Sequence, residues 1–412
     1  MTEPTERELD LILVGATGFV GRLVARHLAE HAPDGLRVAL AGRSAERLVA
    51  VRAALPGRAS DWPAITVDVL DPGAAADLAR RAAVVLTTVG PYLRYGLPLV
   101  QACAHTGTHY ADLTGETLFV RRSIDTAHDL AVTGGARIVH ASGFDSIPSD
   151  LGVGLTAARA VQDGAGELTS AVLHVQHLRG GISGGTIDSL RQQILETGHD
   201  PRARRQITDP YALVDEVAGR PYGGSAPARR WPVGRDPRTR MWQAPFVMGA
   251  FNRQIVHRSN ALADWSYGRG LQYREVVDTG RGPAGPVAAT AVAVGTGALV
   301  GGLALRPTRA VLDRLLPAPG EGPDEARRRR GSFRVAVEAE TSSGARYRTV
   351  VGADLDPGYD GTAVMLGETG LALIASDDLG PAGVVTPMTA VGAVLPQRLR
   401  SHGFTVETVR LT

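Results

Sequence analysis

A chain of 412 residues, 44% hydrophobic and 21% charged, is globular and long enough for two domains, and a net charge of +2 argues against nucleic acid as a partner. The lone cysteine, Cys103, excludes an internal disulfide and fits a reducing cytoplasm; residues 1–8 are polar and acid-bearing, so no signal peptide is expected. All 44 basic residues are arginine, which excludes a lysine Schiff base and any Tyr-x-x-x-Lys relay, so a general acid has to be Tyr, His, Asp, Glu, Ser or water.

Residues 9–28, LDLILVGATGFVGRLVARHL, read as a strand, a glycine-punctuated turn and a helix. Gly15 lets the chain leave the strand sharply, Gly18 removes a side chain where a phosphate could approach, and Gly21 lets the helix lie close to the strand. The helix N-terminus aims unpaired N–H groups at the turn, so Gly15, Thr17, Gly18, Phe19, Val20 and Gly21 are expected around a pyrophosphate. Further strands are predicted at 36–41, 64–68, 83–88, 108–112 and 136–141. Helices are predicted at 19–31, 44–55, 72–81, 96–106, 116–132 and 148–161. Six βα units in succession imply an α/β fold with a doubly wound parallel sheet of Rossmann type, binding ligands at the carboxyl edge of its strands.

Strand two ends in LAGRS, with Arg43 and Ser44 where an NAD site carries an acid on the ribose hydroxyl. A guanidinium pairs with a 2′-phosphate, so NADP(H) is the expected cofactor; the competing reading is a surface arginine beside a capping serine. Asp68, after strand three, is placed to contact the adenine amine or simply to cap its loop. Strand four closes in LTTVGPYLRYG (86–96), where Thr88, Val89, Gly90 and Pro91 would lie under the nicotinamide ribose and Tyr92 near the ring. Turn chemistry with a packed tyrosine explains the same residues. YADLTGE (110–116) supplies Asp112 and Glu116. HASGFDSIPSDLG (140–152) places Asp145 and Ser146 at the edge where substrate meets cofactor, and with His140 they form a candidate proton-delivery cluster. Asp145 or Ser146 could equally cap the helix that follows. No metal constellation is read: His174 and His177 are three apart on a strand, and His105 and His109 straddle an element boundary.

From about residue 165 the rhythm changes. ELTSAVLHVQHL (167–178) reads as a strand, GTIDSLRQQILE (185–196) as a helix, 332–355 as a hairpin turning at Ser343–Gly344, and 358–376 and 387–401 as helices. The Pro/Gly/Arg-rich stretch 198–240 shows no periodicity and reads as a solvated insertion or a mobile lid for an anionic group; ARRRRG (326–331) reads as a solvated connector. Residues 282–305 hold no charge. A buried or subunit-interface helix is the first expectation there. A peripheral membrane contact at the inner face, or a wall for a greasy substrate, is the second, and a true membrane span the third.

GATGFVG, AGRS, TTVGPY, YADLTGE, SGFDSIPSDLG, SGGT (183–186), APFVMGAFNRQIVHRS (244–259) and GVVTPMTAVG (383–392) follow one another in an order that resembles the saccharopine dehydrogenase-like oxidoreductases. Their likeness is greatest to the branch of the mycobacterial-type trans-acting enoyl reductases. The resemblance implies an NADP-binding Rossmann domain (1–160), an α+β substrate or dimerisation domain with a mainly antiparallel sheet (161–382), and a C-terminal piece (383–412) whose helix returns to the first. It also implies reduction of a carbon–carbon double bond conjugated to a carbonyl on a polyketide or fatty acyl chain, free or carrier-bound. Tyr92 is then the expected proton donor or carbonyl polariser, with Asp145 and Ser146 orienting substrate. Carbonyl or imine reduction, or a non-catalytic NADP-binding sensor, are the alternatives, and a homodimer is expected on frequency grounds.

Overall fold

β1 (Leu9–Val14) is buried along nearly its whole length, which marks it as an interior strand before any partner is considered. The computed structural model describes residues 7–180, 184–215, 219, 233–304, 307–308 and 322–411. After β1 come α1 (Phe19–His31), β2 (Val38–Gly42), α2 (Ala45–Ala53), β3 (Ala64–Thr66), α3 (Pro72–Arg81) and β4 (Ala82–Thr87). The series continues with a one-turn helix α4 (Tyr92–Tyr95), α5 (Leu97–Thr106), β5 (His109–Asp112), α6 (Thr117–Gly134), β6 (Arg137–Val139) and α7 (Ile147–Gln162). The strands form a seven-stranded parallel sheet in the order β13-β6-β5-β4-β1-β2-β3, whose seventh member, β13 (Gly383–Val385), returns from near the end of the chain to pair with β6.

Two of the three core clusters divide residues 11–14 of β1 by the two-residue period of a strand. Leu11 and Leu13 join one cluster, Ile12 and Val14 the other. Helices therefore cover both faces, as the doubly wound reading requires. β6 stops at Val139, short of the predicted 141, because Ala141 turns to φ 61° and the amides of Ala141 and Ser142 bond Asp112 at 3.1 and 2.7 Å.

The second sheet is built from β7 (Leu168–Arg179), β8 (Gly234–Arg235), β9 (Trp242–Pro245), β10 (Gln272–Gly280), β11 (Ser332–Thr341), β12 (Arg346–Ala353) and β14 (Thr405–Leu411). Its order is β14-β12-β11-β7-β10-β9-β8, antiparallel except where β10 runs parallel to β7. Its helices are α8 (Gly184–His199), α9 (Pro201–Thr208), α10 (Gly249–Leu262), α11 (Ala284–Ala304) and the short α12 (Glu325–Arg328). The hairpin β11–β12 turns where expected.

Three expectations change. The aperiodic stretch 198–240 contains α9, whose start is an Asp200 side chain accepting from the Arg202 amide with Pro201 in the first turn; residues 216–218 and 220–232 of that stretch lie outside the described ones. The helix expected at 358–376 opens as a π-helical turn (Pro357–Gly361) that runs directly into α13 (Thr362–Ala375), which packs on α1 and β4. There the bare Gly370 lets Leu86 approach within 2.7 Å of where a Cβ would stand. The helix expected at 387–401 is two short ones, α14 (Pro387–Val391) and α15 (Leu395–Ser401). Helix α11 forms as predicted but is not buried: Val287 and Val294 are 70% and 63% exposed, and only Gly285, Ala289 and Leu303 are covered.

Gly15 adopts φ +83°, a conformation L side chains avoid, and a Cβ on Gly21 would lie 2.1 Å from the Gly15 carbonyl oxygen. Gly21→Ala is therefore expected to lift α1 off β1, destabilising the protein by about 1–3 kcal/mol and weakening NADPH binding roughly tenfold or more. Thermal denaturation and calorimetric titration read both effects; parent-like values in each would contradict this account of the turn.

Candidate active site

At the carboxyl edge of the parallel sheet, the β1–α1 turn presents the amides of Phe19, Val20 and Gly21 with no hydrogen-bond acceptor among the described residues, and Gly18 caps α1 without a side-chain bond. This is an anion seat built from backbone. Thr88 and Val89, just after β4, press on the turn, and the Thr88 hydroxyl donates to the Gly15 carbonyl at 3.2 Å. Arg43, at the end of β2, is exposed and pairs with no described residue, while Ser44 caps α2. Asp68 accepts from the Leu70 amide at 3.0 Å and closes its own loop. Arg22 and Arg328 both lie over the Phe19 ring, at 5.7 and 5.5 Å, so the run 326–331 is not wholly a solvated connector.

The unpaired amides, the three glycines and the free guanidinium fit a dinucleotide carrying a 2′-phosphate. Gly90, joined to Pro91 by a cis peptide bond, lies where β4 meets the cavity.

That cavity, of about 230 Å³, lies between the two sheets. All three residues expected to act on substrate line it: Tyr92, Asp145 and Ser146. Their surroundings define what each can do. The Tyr92 hydroxyl donates to the Thr87 carbonyl and accepts from the Leu113 amide, both at 3.2 Å, and burial pushes its pKa well above the ordinary phenol value. The Ser146 hydroxyl donates to Asn252 Oδ1 at 2.8 Å. Asn252 Nδ2 donates to the Asp145 carbonyl at 2.6 Å and to Glu275 at 3.0 Å, and Glu275 also accepts from Ser149 and Tyr273 at 2.6 Å each. Burial raises the Glu275 carboxyl above its usual range.

Two further carboxylates organise the loops. Glu116 accepts from the Tyr92 and Leu93 amides (2.8 and 2.7 Å) and from the Ser189 hydroxyl (2.6 Å), yet burial outweighs these donors and raises its pKa. It therefore does more than start α6. Asp112 accepts from the Thr114 and Ala141 amides, from Tyr110 and from His140 Nδ1. His140 is held between Asp112 and Ser123, both at 2.8 Å, and does not line the cavity; the expected grouping of His140 with Asp145 and Ser146 does not form.

Asn252, Glu275, Ser189 and Gln193 were not singled out from the sequence, although Asn252 lies within APFVMGAFNR. Their signal is a partner more than 70 residues away in the chain, which no local pattern carries. Leu178, Leu190, Phe246, Met248 and Leu299 make the far wall apolar.

Residues 11–139 match the saccharopine dehydrogenase NADP binding domain. A Mycobacterium tuberculosis protein with the provisional name trans-acting enoyl reductase is 47% identical over 99% of both chains. A trans-acting enoyl reductase of Mycobacterium ulcerans is 45% identical over 98% of this chain and 99% of its own. Among solved structures, saccharopine dehydrogenase (L-Glu forming) of Saccharomyces cerevisiae superposes with a TM-score of 0.54 at 16% identity, covering 98% of this chain and 100% of that one. That likeness shows a shared fold. With its NADP(H) seat, parallel sheet and full-length relatives, the chain belongs to the saccharopine dehydrogenase-like NAD(P)-dependent oxidoreductases, in the branch of the trans-acting enoyl reductases.

Proposed function

We propose that the protein reduces a carbon–carbon double bond conjugated to a carbonyl on a fatty or polyketide acyl chain, using NADPH. The observation that carries this reading is the charge of the cavity: among its described lining residues there is no arginine or histidine, and Asp145 is the one ionisable carboxyl. An amino-acid substrate would need a cation for its carboxylate; an acyl chain needs apolar walls. The full-length relatives named for enoyl reduction support the same choice.

NADPH, when bound, supplies a hydride to the β-carbon. The chain's own part is to stabilise charge on the carbonyl oxygen and to provide a proton. Five of the six lining hydroxyls donate to protein acceptors: Thr88 to Gly15, Tyr92 to Thr87, Ser146 to Asn252, Ser189 to Glu116 and Thr362 to Pro357. Thr114 accepts from the Glu116 amide and keeps its own proton uncommitted among the described residues. We therefore assign carbonyl polarisation to Thr114, proton supply to the Asp145 carboxyl or water, and to Tyr92 and Ser146 the shaping of the cavity as wall and acceptor.

Helix α11 extends the reading. Its outward positions, among them Val287, Ala291, Val294 and Ala298, carry no charge, while Leu299 on the same helix lines the cavity. A helix apolar on every face is normally covered. Arg281 precedes it, and Arg306 and Arg309 follow it in sequence. We take the partner to be an anionic bilayer surface, where acyl substrates partition.

With an α,β-unsaturated acyl thioester, NADPH oxidation should yield a product two hydrogens heavier at the former double bond; a hydroxyl or amine product, or tight NADPH binding without turnover on enoyl and carbonyl substrates, would replace this function with another. Arg43→Ala should lower NADPH affinity about 10–100-fold and leave NADH nearly unchanged; an unaltered preference refutes the 2′-phosphate assignment. Thr114→Val and Asp145→Asn should each reduce kcat by about 10²-fold or more at unchanged NADPH affinity, whereas Tyr92→Phe should cost only a few-fold; the opposite ranking returns the proton to Tyr92. Val287→Asp/Val294→Asp should abolish sedimentation with phosphatidylglycerol vesicles. Loss of a dimer instead, with vesicles never bound by the parent, would assign the helix to a second copy.

A further inference from the structure

We propose that the carboxyl end of α1 holds a divalent transition-metal ion of the zinc class, bound by His27, His31, Glu368 and His402. His27 and His31 stand four apart on α1 and so share a face. Glu368 comes from α13, and His402 from the turn between α15 and β14. The three rings gather with centroids 4.6–4.9 Å apart, and their candidate ligand nitrogens all lie within 4.8 Å of one another.

Two of these imidazoles already point at one oxygen. Nε2 of His27 and Nε2 of His402 lie 2.8 and 2.9 Å from Glu368 Oε1. A tetrahedral zinc ion holds nitrogen and oxygen ligands at about 2.0–2.2 Å, hence about 3.3 Å from each other. The His27–Glu368–His402 trio reaches that spacing by opening about half an ångström at each contact. The second Glu368 oxygen accepts from Arg398 Nε at 2.8 Å, which fixes the carboxylate and leaves Oε1 as a single ligand atom. A Cβ on Gly367 would stand 2.6 Å from His27 Cδ2, so the glycine makes room for the ring.

A hydrogen-bonded relay accounts for His27 and His402 but not for His31. Its ring contacts both others, makes no hydrogen bond among the described residues, and approaches a carboxylate only at 3.9 Å from Glu30. With its side chain 44% exposed, it is free to swing onto an ion held by the other three. On binding, each imidazole carries its proton on Nδ1 and offers Nε2 as a lone pair, so neutral rings release no proton.

Four protein ligands close the coordination sphere, which makes the site structural. None of the four residues lines the cavity, and the 13 residues of α1 separate the site from the phosphate turn by about 20 Å. Bound metal would join α1 on the parallel sheet to the turn that launches β14 of the other sheet.

The test uses untagged, full-length protein stripped with a chelator. One equivalent of Zn²⁺ should bind and raise the melting temperature by about 3–6 °C, and Co²⁺ should give the visible absorption of a tetrahedral complex. His31→Ala, which changes a half-exposed side chain and should fold normally, and His31→Ala/His402→Ala should remove both signals, while NADPH binding stays at the parent value. Absence of stoichiometric binding to the parent, or an equal Zn²⁺ shift in the double variant, overturns the proposal.

Discussion

The contact of Gly21 with the Gly15 carbonyl oxygen sets the position of everything that follows. With no side chain at either residue, α1 lies against β1 closely enough that its first amides converge on the turn instead of passing beside it. Thr88 and Val89, just past the end of β4, also stand against Gly15. The anion seat is thus a packing result: backbone dipoles are aimed by the distance between a helix and a strand.

Buried carboxylates do comparable work around the cavity. Asp112, Glu116 and Glu275 have no lysine or arginine beside them among their hydrogen-bond partners; each is satisfied by amides, hydroxyls or, for Asp112, one imidazole. Such groups are costly to leave unpaired, so each holds its loop in one arrangement. Glu116 fixes the turn that carries Tyr92, Asp112 fixes the departure of the chain after β6, and Glu275 fixes Asn252 behind Ser146. Most hydroxyls lining the cavity, Ser189 through Glu116 among them, likewise spend their protons on protein acceptors.

Much of the first sheet was legible in the sequence because interior parallel strands are short unbroken apolar runs and the helices between them carry clear starts and stops. Asp71 before Pro72, Ser44 before Ala45 and the left-handed Gly107 after α5 are such punctuation. The glycine turn between β1 and α1 was legible for the same reason, since its glycines are local. Long-range partnerships were not. Nothing in HASGFD says that His140 turns toward Ser123, and nothing in APFVMGAFNR says that Asn252 meets Ser146. The uniform composition of α11 gave its type but not its environment, because a helix with no polar face has no direction to read. α9 escaped because eight residues are too few for a helical period to stand out, although its Asp-Pro start was present.

The chain visits the parallel sheet first, crosses to the mixed sheet through α7, returns with α13 and β13, and crosses once more to finish as β14. Repeated threading ties the two halves together like lacing. A large hinge between them would have to strain several connections at once, so the shape of the cavity is set locally, by side chains such as Leu190 of α8 and Leu299 of α11. The room inside the cavity is accordingly adjustable on two helices, while the glycine turn at β1–α1 can stay as it is.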